Sequence, residues 1–147
     1  MEIDFSQVRA IAVEDDLAGV ALIGTMLRRL QIQAYVDPTG NDIVQMALRM
    51  RPHFILMDLN LPNRSGFDLM ERIRSMPELR HIPIVALSAM SPQMAIPRCR
   101  EMGFDGFLAK PLRSRHLARQ LTRLLNGETV WDVGETGEIA GEVAART

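Results

Sequence analysis

The chain has 147 residues, 47% of them hydrophobic and 24% charged, with a formal net charge of -1. That is the composition of one globular domain able to bury a core. The one cysteine, Cys99, cannot close an internal disulfide, and no apolar run approaches the roughly 20 residues that cross a bilayer.

The N-terminal residues carry no signal-peptide pattern, so a cytoplasmic protein without a membrane partner is expected. Charge is unevenly spread. Residues 127–147 hold five acids (Glu128, Asp132, Glu135, Glu138, Glu142) against one base, Arg146, leaving 16 bases and 13 acids before them. The body is only slightly basic and its charges are scattered, which argues against direct nucleic-acid binding.

Short apolar runs alternate with segments of helical period, the pattern of an α/β domain with a parallel sheet. The first run, Arg9 to Val13, is followed by a helical pattern near Leu17 to Leu30, and the second, Gln33 to Val36, by one near Asn41 to Met50. Phe54 to Met57 precedes a helix near Gly66 to Ser75, and Ile82 to Leu87 precedes one expected to begin near Ala95 or Ile96 and to end at Met102. Pro97 sets that start: it lacks an amide hydrogen and fits the first turn of a helix better than its interior, which leaves Ser91 to Met94 as loop. Gly106 to Leu108 and a helix from Arg113 to Leu125 complete five strands and five helices, and Asn126-Gly127 stops the last helix. The expected organisation is a domain over residues 1–126 and an acidic, Gly- and Glu-rich tail or linker over 127–147, whose Val130, Trp131 and Val133 dock on the domain or on a neighbouring copy while its acids face the Arg115, Arg119, Arg123 stripe.

Right-handed crossovers wind such a chain into a doubly wound sheet whose ligands collect at the carboxyl ends of the strands. Those ends carry Glu14, Asp15 and Asp16 after the first run, Asp58 after the third, Ser88 after the fourth and Lys110 after the fifth. Converging carboxylates repel one another unless a hard cation neutralises them, and magnesium with oxygen ligands suits such a place, manganese serving as well. A hydroxyl and an ammonium beside them are what a transferred phosphoryl group needs around its oxygens. Taken alone, Asp16 reads as a helix cap, and His53, His81 and His116 read as structural.

The four motifs Val13-Glu14-Asp15-Asp16, Ile55-Leu56-Met57-Asp58-Leu59-Asn60-Leu61-Pro62 with Gly66, Ala86-Leu87-Ser88-Ala89, and Lys110-Pro111 together resemble the receiver domain of bacterial response regulators in two-component signalling, from about Val8 to Asn126. The resemblance implies a flavodoxin-like receiver fold, a five-stranded parallel sheet in the order 2-1-3-4-5. It implies that Asp58 accepts a phosphoryl group from a histidine kinase or histidine phosphotransfer protein, as a signalling domain whose only catalysis is its own phosphoryl transfer and dephosphorylation. Glu14, Asp15, Asp58 and the Asn60 backbone carbonyl would hold Mg2+ or Mn2+. Ser88 and Lys110 would bind phosphoryl oxygens, and Lys110-Pro111 would be cis. Ser88 and Phe107 would form the switch, and Asn60 and Met90 would tune dephosphorylation.

Output to a downstream protein target would run through the fourth helix, fifth strand and fifth helix, with a phosphorylation-dependent homodimer left open. The alternatives are a receiver excised from a larger hybrid kinase or multidomain regulator and, in another class, a flavodoxin-like or aspartyl-phosphate phosphatase enzyme. The acidic loop after the first strand disfavours a flavin phosphate, and Asn60 stands where such a phosphatase would want its second carboxylate.

Overall fold

The computed structural model describes residues 2–132 and the strand residues Glu138–Ile139. Five strands, β1 (Arg9–Val13), β2 (Gln33–Asp37), β3 (Phe54–Asp58), β4 (Ile84–Ser88) and β5 (Gly106–Ala109), alternate with α1 (Leu17–Arg29), α2 (Ile43–Met50), α3 (Gly66–Arg74), α4 (Pro92–Met102) and α5 (Ser114–Leu125). They pair in parallel in the expected order 2-1-3-4-5. A short antiparallel hairpin, Asn60–Leu61 with Arg64–Ser65, stands between β3 and α3.

Alternation along each strand builds two cores. Ile11 and Val13 of β1 and Ile55 and Met57 of β3 face α2, α3 and α4, while Ala10, Ala12, Phe54 and Leu56 face α1 and α5. The central strands are buried on both sides, which is why they read as unbroken apolar runs. Among the described residues no helix is long and apolar enough to cross a membrane.

Two expectations are corrected here. The fourth helix begins at Pro92 and runs through Pro97 to Met102 rather than starting near Ala95. Pro92 takes the first helical position, where a missing amide costs nothing, and the amides of Met94 and Ala95 both donate to the Ser91 carbonyl. Ala95, Ile96 and Cys99 are buried, whereas Pro97 and Gln93, four residues before it, are exposed. The carbonyl that Pro97 fails to bond therefore lies toward water, and burial of the opposite face holds the helix together.

The second correction concerns the edge of the sheet. β5 is not its last strand: β6 (Val130–Asp132) pairs with it in parallel, Gly106 opposite Val130 and Phe107 opposite Trp131, and β7 (Glu138–Ile139) pairs antiparallel with β6. The output face expected from the fourth helix, fifth strand and fifth helix thus has β6 over the β5 edge. Trp131 joins the core with α3 and α4, under the Arg100 guanidinium 4.6 Å from its ring centroid, and Val130 joins the core with α1 and α5. Glu128 lies 3.4 Å from Arg123, a contact between the acidic segment and the arginine stripe. Val133 lies outside the described residues.

β6 approaches so closely that a Cβ at Gly106 would overlap the carbonyl oxygen and Cγ2 of Val130. Gly106→Ala is therefore expected to lower stability by about 1–3 kcal/mol, the usual cost of overpacking. Trp131 emission should shift to the red as β6 loosens. Urea unfolding and fluorescence check this, and an unchanged midpoint with unchanged emission would show that β6 does not press on β5.

Candidate functional site

The site stands at the carboxyl ends of β1, β3, β4 and β5. β1 delivers Glu14, wholly buried, and Asp15. Next to them, β3 ends on Asp58, which is 3% exposed. The register places Asp58 opposite Leu87, so Ser88 is one step beyond it on β4, and Ala109, which precedes Lys110, is opposite Ser88 on β5. Carboxylate oxygens of Glu14, Asp15 and Asp58 lie within 4.8 Å of one another, a donor set able to hold a cation.

The Lys110 ammonium binds this cluster together. Its Nζ donates to Glu14 Oε2 at 2.7 Å and to Asp58 Oδ2 at 3.1 Å. The Asn60 N–H donates to the other Asp58 oxygen, Oδ1, at 2.9 Å. Burial pushes the Glu14 carboxyl up from its ordinary 4.5; the Lys110 hydrogen bond opposes that, and the neighbouring Asp58 adds to it. For Lys110 burial works downward, but the bonds and charges of Glu14 and Asp58 outweigh it and hold the ammonium above 10.5. One ammonium against three acids leaves the cluster short of positive charge, which is the condition that favours a bound cation.

Local structure sets each group. The Asp16 side chain caps α1 by accepting the Gly19 N–H at 3.0 Å, as its sequence position led us to expect. Gly19 does a second thing that was not read from the sequence: a Cβ there would stand 2.8 Å from Glu14 Cδ, so only glycine leaves room for the buried carboxylate. The Ser88 hydroxyl accepts the Met90 N–H at 2.9 Å, and the Ser88 carbonyl accepts the Lys110 N–H at 2.9 Å. The Lys110-Pro111 peptide is cis.

Phe107, on β5, is fully buried, and Met90, whose N–H bonds the Ser88 hydroxyl, is 40% exposed. A cleft of about 400 Å³ opens beside the cluster, lined by Glu14, Asp16, Gly19, Leu22, Lys110 and Pro111. Glu14, Asp15, Asp58, Lys110 and the Asn60 N–H therefore meet in one place, with Ser88 on the neighbouring strand end. One cue was overlooked: among 17 basic residues Lys110 is the only lysine. The histidines lie elsewhere; His53 Nδ1 accepts the Arg9 N–H at 2.9 Å, and burial with the Arg9 charge lowers its pKa, as a structural acceptor requires.

Comparison with known proteins places this geometry. Two-component response regulator ORR3 of Oryza sativa is 30% identical over 116 residues, spanning 78% of this chain and 88% of that protein. The peroxide stress-activated histidine kinase mak1 of Schizosaccharomyces pombe is 33% identical over 123 residues, 79% of this chain but 7% of the kinase. Among solved structures, the receiver domain of sensor histidine kinase PA1611 from Pseudomonas aeruginosa PAO1, with a magnesium ion coordinated in its active site cleft, matches with a TM-score of 0.74 and 33% identity, covering 81% of this chain and 98% of that one. The model of the response regulator receiver domain matches residues 10–122, and with it the acidic cluster, Asp58, Ser88 and Lys110: the chain belongs to the receiver domain family of two-component signalling.

Proposed function

We propose that Asp58 is the phosphoacceptor of this receiver domain, taking a phosphoryl group from a histidine kinase or histidine phosphotransfer protein. The observation that carries this is the Lys110 ammonium bridging Asp58 and Glu14 at the sheet edge, with Asp15 completing a cluster short of positive charge. An Asp58 carboxylate oxygen attacks phosphorus, the phosphorus–nitrogen bond of the donor breaks, and the imidazole leaves with its electron pair, giving an acyl phosphate. Asn60 N–H and Lys110 Nζ, one on each Asp58 oxygen, orient the carboxylate before attack. Lys110 then follows the charge onto a phosphoryl oxygen, and the Ser88 hydroxyl donates to another.

The residues fit a divalent cation: all-oxygen, anionic, partly buried donors from two strand ends are the ligands of a hard ion. Glu14, Asp15, Asp58 and the Asn60 carbonyl would hold Mg2+ or Mn2+. When bound, the ion supplies the positive charge that lets a phosphoryl group approach three carboxylates. The cleft beside Glu14 and Lys110, lined in part by exposed Leu22, gives the donor protein its approach. Downstream, the receiver signals by protein contact at the α4 and α5 side, including β6.

The deciding experiment is incubation with magnesium and a small acyl-phosphate donor, read by intact mass. Wild type is expected to gain one phosphoryl group and Asp58→Asn none; equal labelling of both would move the acceptor elsewhere. For the cation, Asp15→Ala should abolish tight magnesium binding. Gly19→Ala, whose methyl displaces Glu14, should weaken it about tenfold, as loss of support around a ligand commonly does. Calorimetric titration reads both, and wild-type affinity in Asp15→Ala would remove that residue from the site.

Reset depends on water reaching phosphorus opposite the Asp58 oxygen. Asn60 can hold a water by hydrogen bonding, whereas Met90, 40% exposed, has only a flexible apolar chain to offer. The phosphorylated form should therefore persist. Met90→Glu or Met90→Gln is expected to speed phosphate loss by about tenfold through better placement of water. Decay rates of the three phosphoproteins give the answer, and identical rates would acquit Met90 of any gating role.

A further inference from the structure

Asp132, the last residue of β6, lies outside the segment that matches the family, yet it reaches the loop that carries Lys110. It is buried, and its Oδ2 accepts the N–H of Ala109, the residue before Lys110, at 3.2 Å. The same oxygen lies 3.2 Å from His116 Nε2 in the first turns of α5. A single carboxylate thus bonds the start of the turn from β5 into α5, which runs through Lys110, Pro111 and Leu112, and lies beside the imidazole at its other end.

The pairing explains why a side chain does this. With Gly106 opposite Val130 and Phe107 opposite Trp131, the β5–β6 ladder runs toward the end of β5, and the Ala109 N–H takes the Asp132 carboxylate as acceptor. A charged acceptor makes a stronger bond than a carbonyl, and a buried carboxylate is retained only where such donors meet it. On its other side the turn is tied by the Lys110 N–H to the Ser88 carbonyl. Lys110 reaches Glu14 and Asp58 through four rotatable carbons, so the placement of its ammonium is only as good as the placement of its backbone.

We infer that Asp132 is a positioning residue for Lys110: the C-terminal strand fixes the turn from which the lysine addresses Asp58 and its phosphoryl group. The inference rests on the proposed role of Lys110, and through it the phosphorylation chemistry becomes dependent on β6 being docked.

The test exploits two single-copy side chains. Lys110 is the only lysine, so an amine-acylating reagent followed by peptide mass analysis reports its freedom separately from the N-terminal amine. Cys99 is the only cysteine and is fully buried, so its alkylation reports general opening of the domain. The 147-residue chain is compared with Asp132→Ala, Asp132→Leu, which keeps nearly the same shape without an acceptor, and Asp132→Asn, which keeps an oxygen for the Ala109 N–H. In the Ala and Leu variants Lys110 acylation should rise by about threefold or more and phosphorylation of Asp58 by a small acyl-phosphate donor should slow about tenfold, with Cys99 alkylation unchanged. Asp132→Asn should stay within about twofold of wild type in all three readouts, since it preserves the bond.

Wild-type acylation of Lys110 in both the Ala and Leu variants overturns the inference. So does a parallel rise at Lys110 and Cys99, which would mark Asp132 as a stability residue and nothing more. If wild type takes no phosphoryl group while Lys110 responds as expected, the phosphoacceptor reading falls and the link between Asp132 and Lys110 stands; a phosphorylated wild type with an indifferent Lys110 has the opposite meaning.

Discussion

The Lys110 ammonium, shared between Glu14 and Asp58, is the contact on which this architecture turns. Two carboxylates from different strands, both almost without solvent, stand within a few ångströms of one another and of Asp15. Burying even one such charge unpaired costs several kcal/mol, so the end of the sheet could not exist in this form without a cation threaded into it. The lysine comes from the far side of the site, just after β5, and reaches across the end of β4 to touch residues at the ends of β1 and β3. Parallel pairing in the order 2-1-3-4-5 is what brings these ends together. The requirements of the fold and of the chemistry coincide here: the charge that makes the acids tolerable is the charge a phosphoryl group needs.

Much of this was legible in the chain because each functional side chain immediately follows an apolar run. A strand buried on both faces announces itself by composition, and the polar residue that ends it must lie at the carboxyl edge. Glu14, Asp58, Ser88 and Lys110 are all of that kind. Their joint presence at matching separations carried far more weight than any one of them, since an acidic pair before a helix is an ordinary cap.

What escaped has physical reasons too. The rule for a proline in an isolated helix weighs a lost bond and a ring clash, but at Pro97 the burial of Ala95, Ile96 and Cys99 on the opposite face outweighs both. The role of Gly19 depends on a distance between a backbone and a side chain five residues away, which no periodicity encodes. Asp132 meets Ala109 across 23 positions through a three-residue strand, too short to show alternation, in a segment whose glycines and acids read as a linker. Trp131 does give a signal, since a large apolar side chain in an acidic tail has to be covered by something; it points to docking, but neither to a strand nor to the Asp132 bond.

The energetics of that covering explain why so short a strand holds. Ordering three residues costs about 1–2 kcal/mol each in backbone entropy. A tryptophan side chain burying roughly 200 Å² returns on the order of 5 kcal/mol at about 25 cal/mol per Å², so Trp131 alone nearly offsets the cost and Val130 adds the surplus. Neither could approach if β5 carried a side chain at Gly106. The match is therefore reciprocal: an absent Cβ on β5, and two apolar residues and a carboxylate on β6. Its effect on the outer surface is as definite. The open edge that β5 would otherwise present to another strand is satisfied within the chain by β6, and the face beside α4 and α5 is lined by Arg100 stacked on Trp131. Any partner that reads the state of Asp58 from this side meets the C-terminal strand before it meets β5.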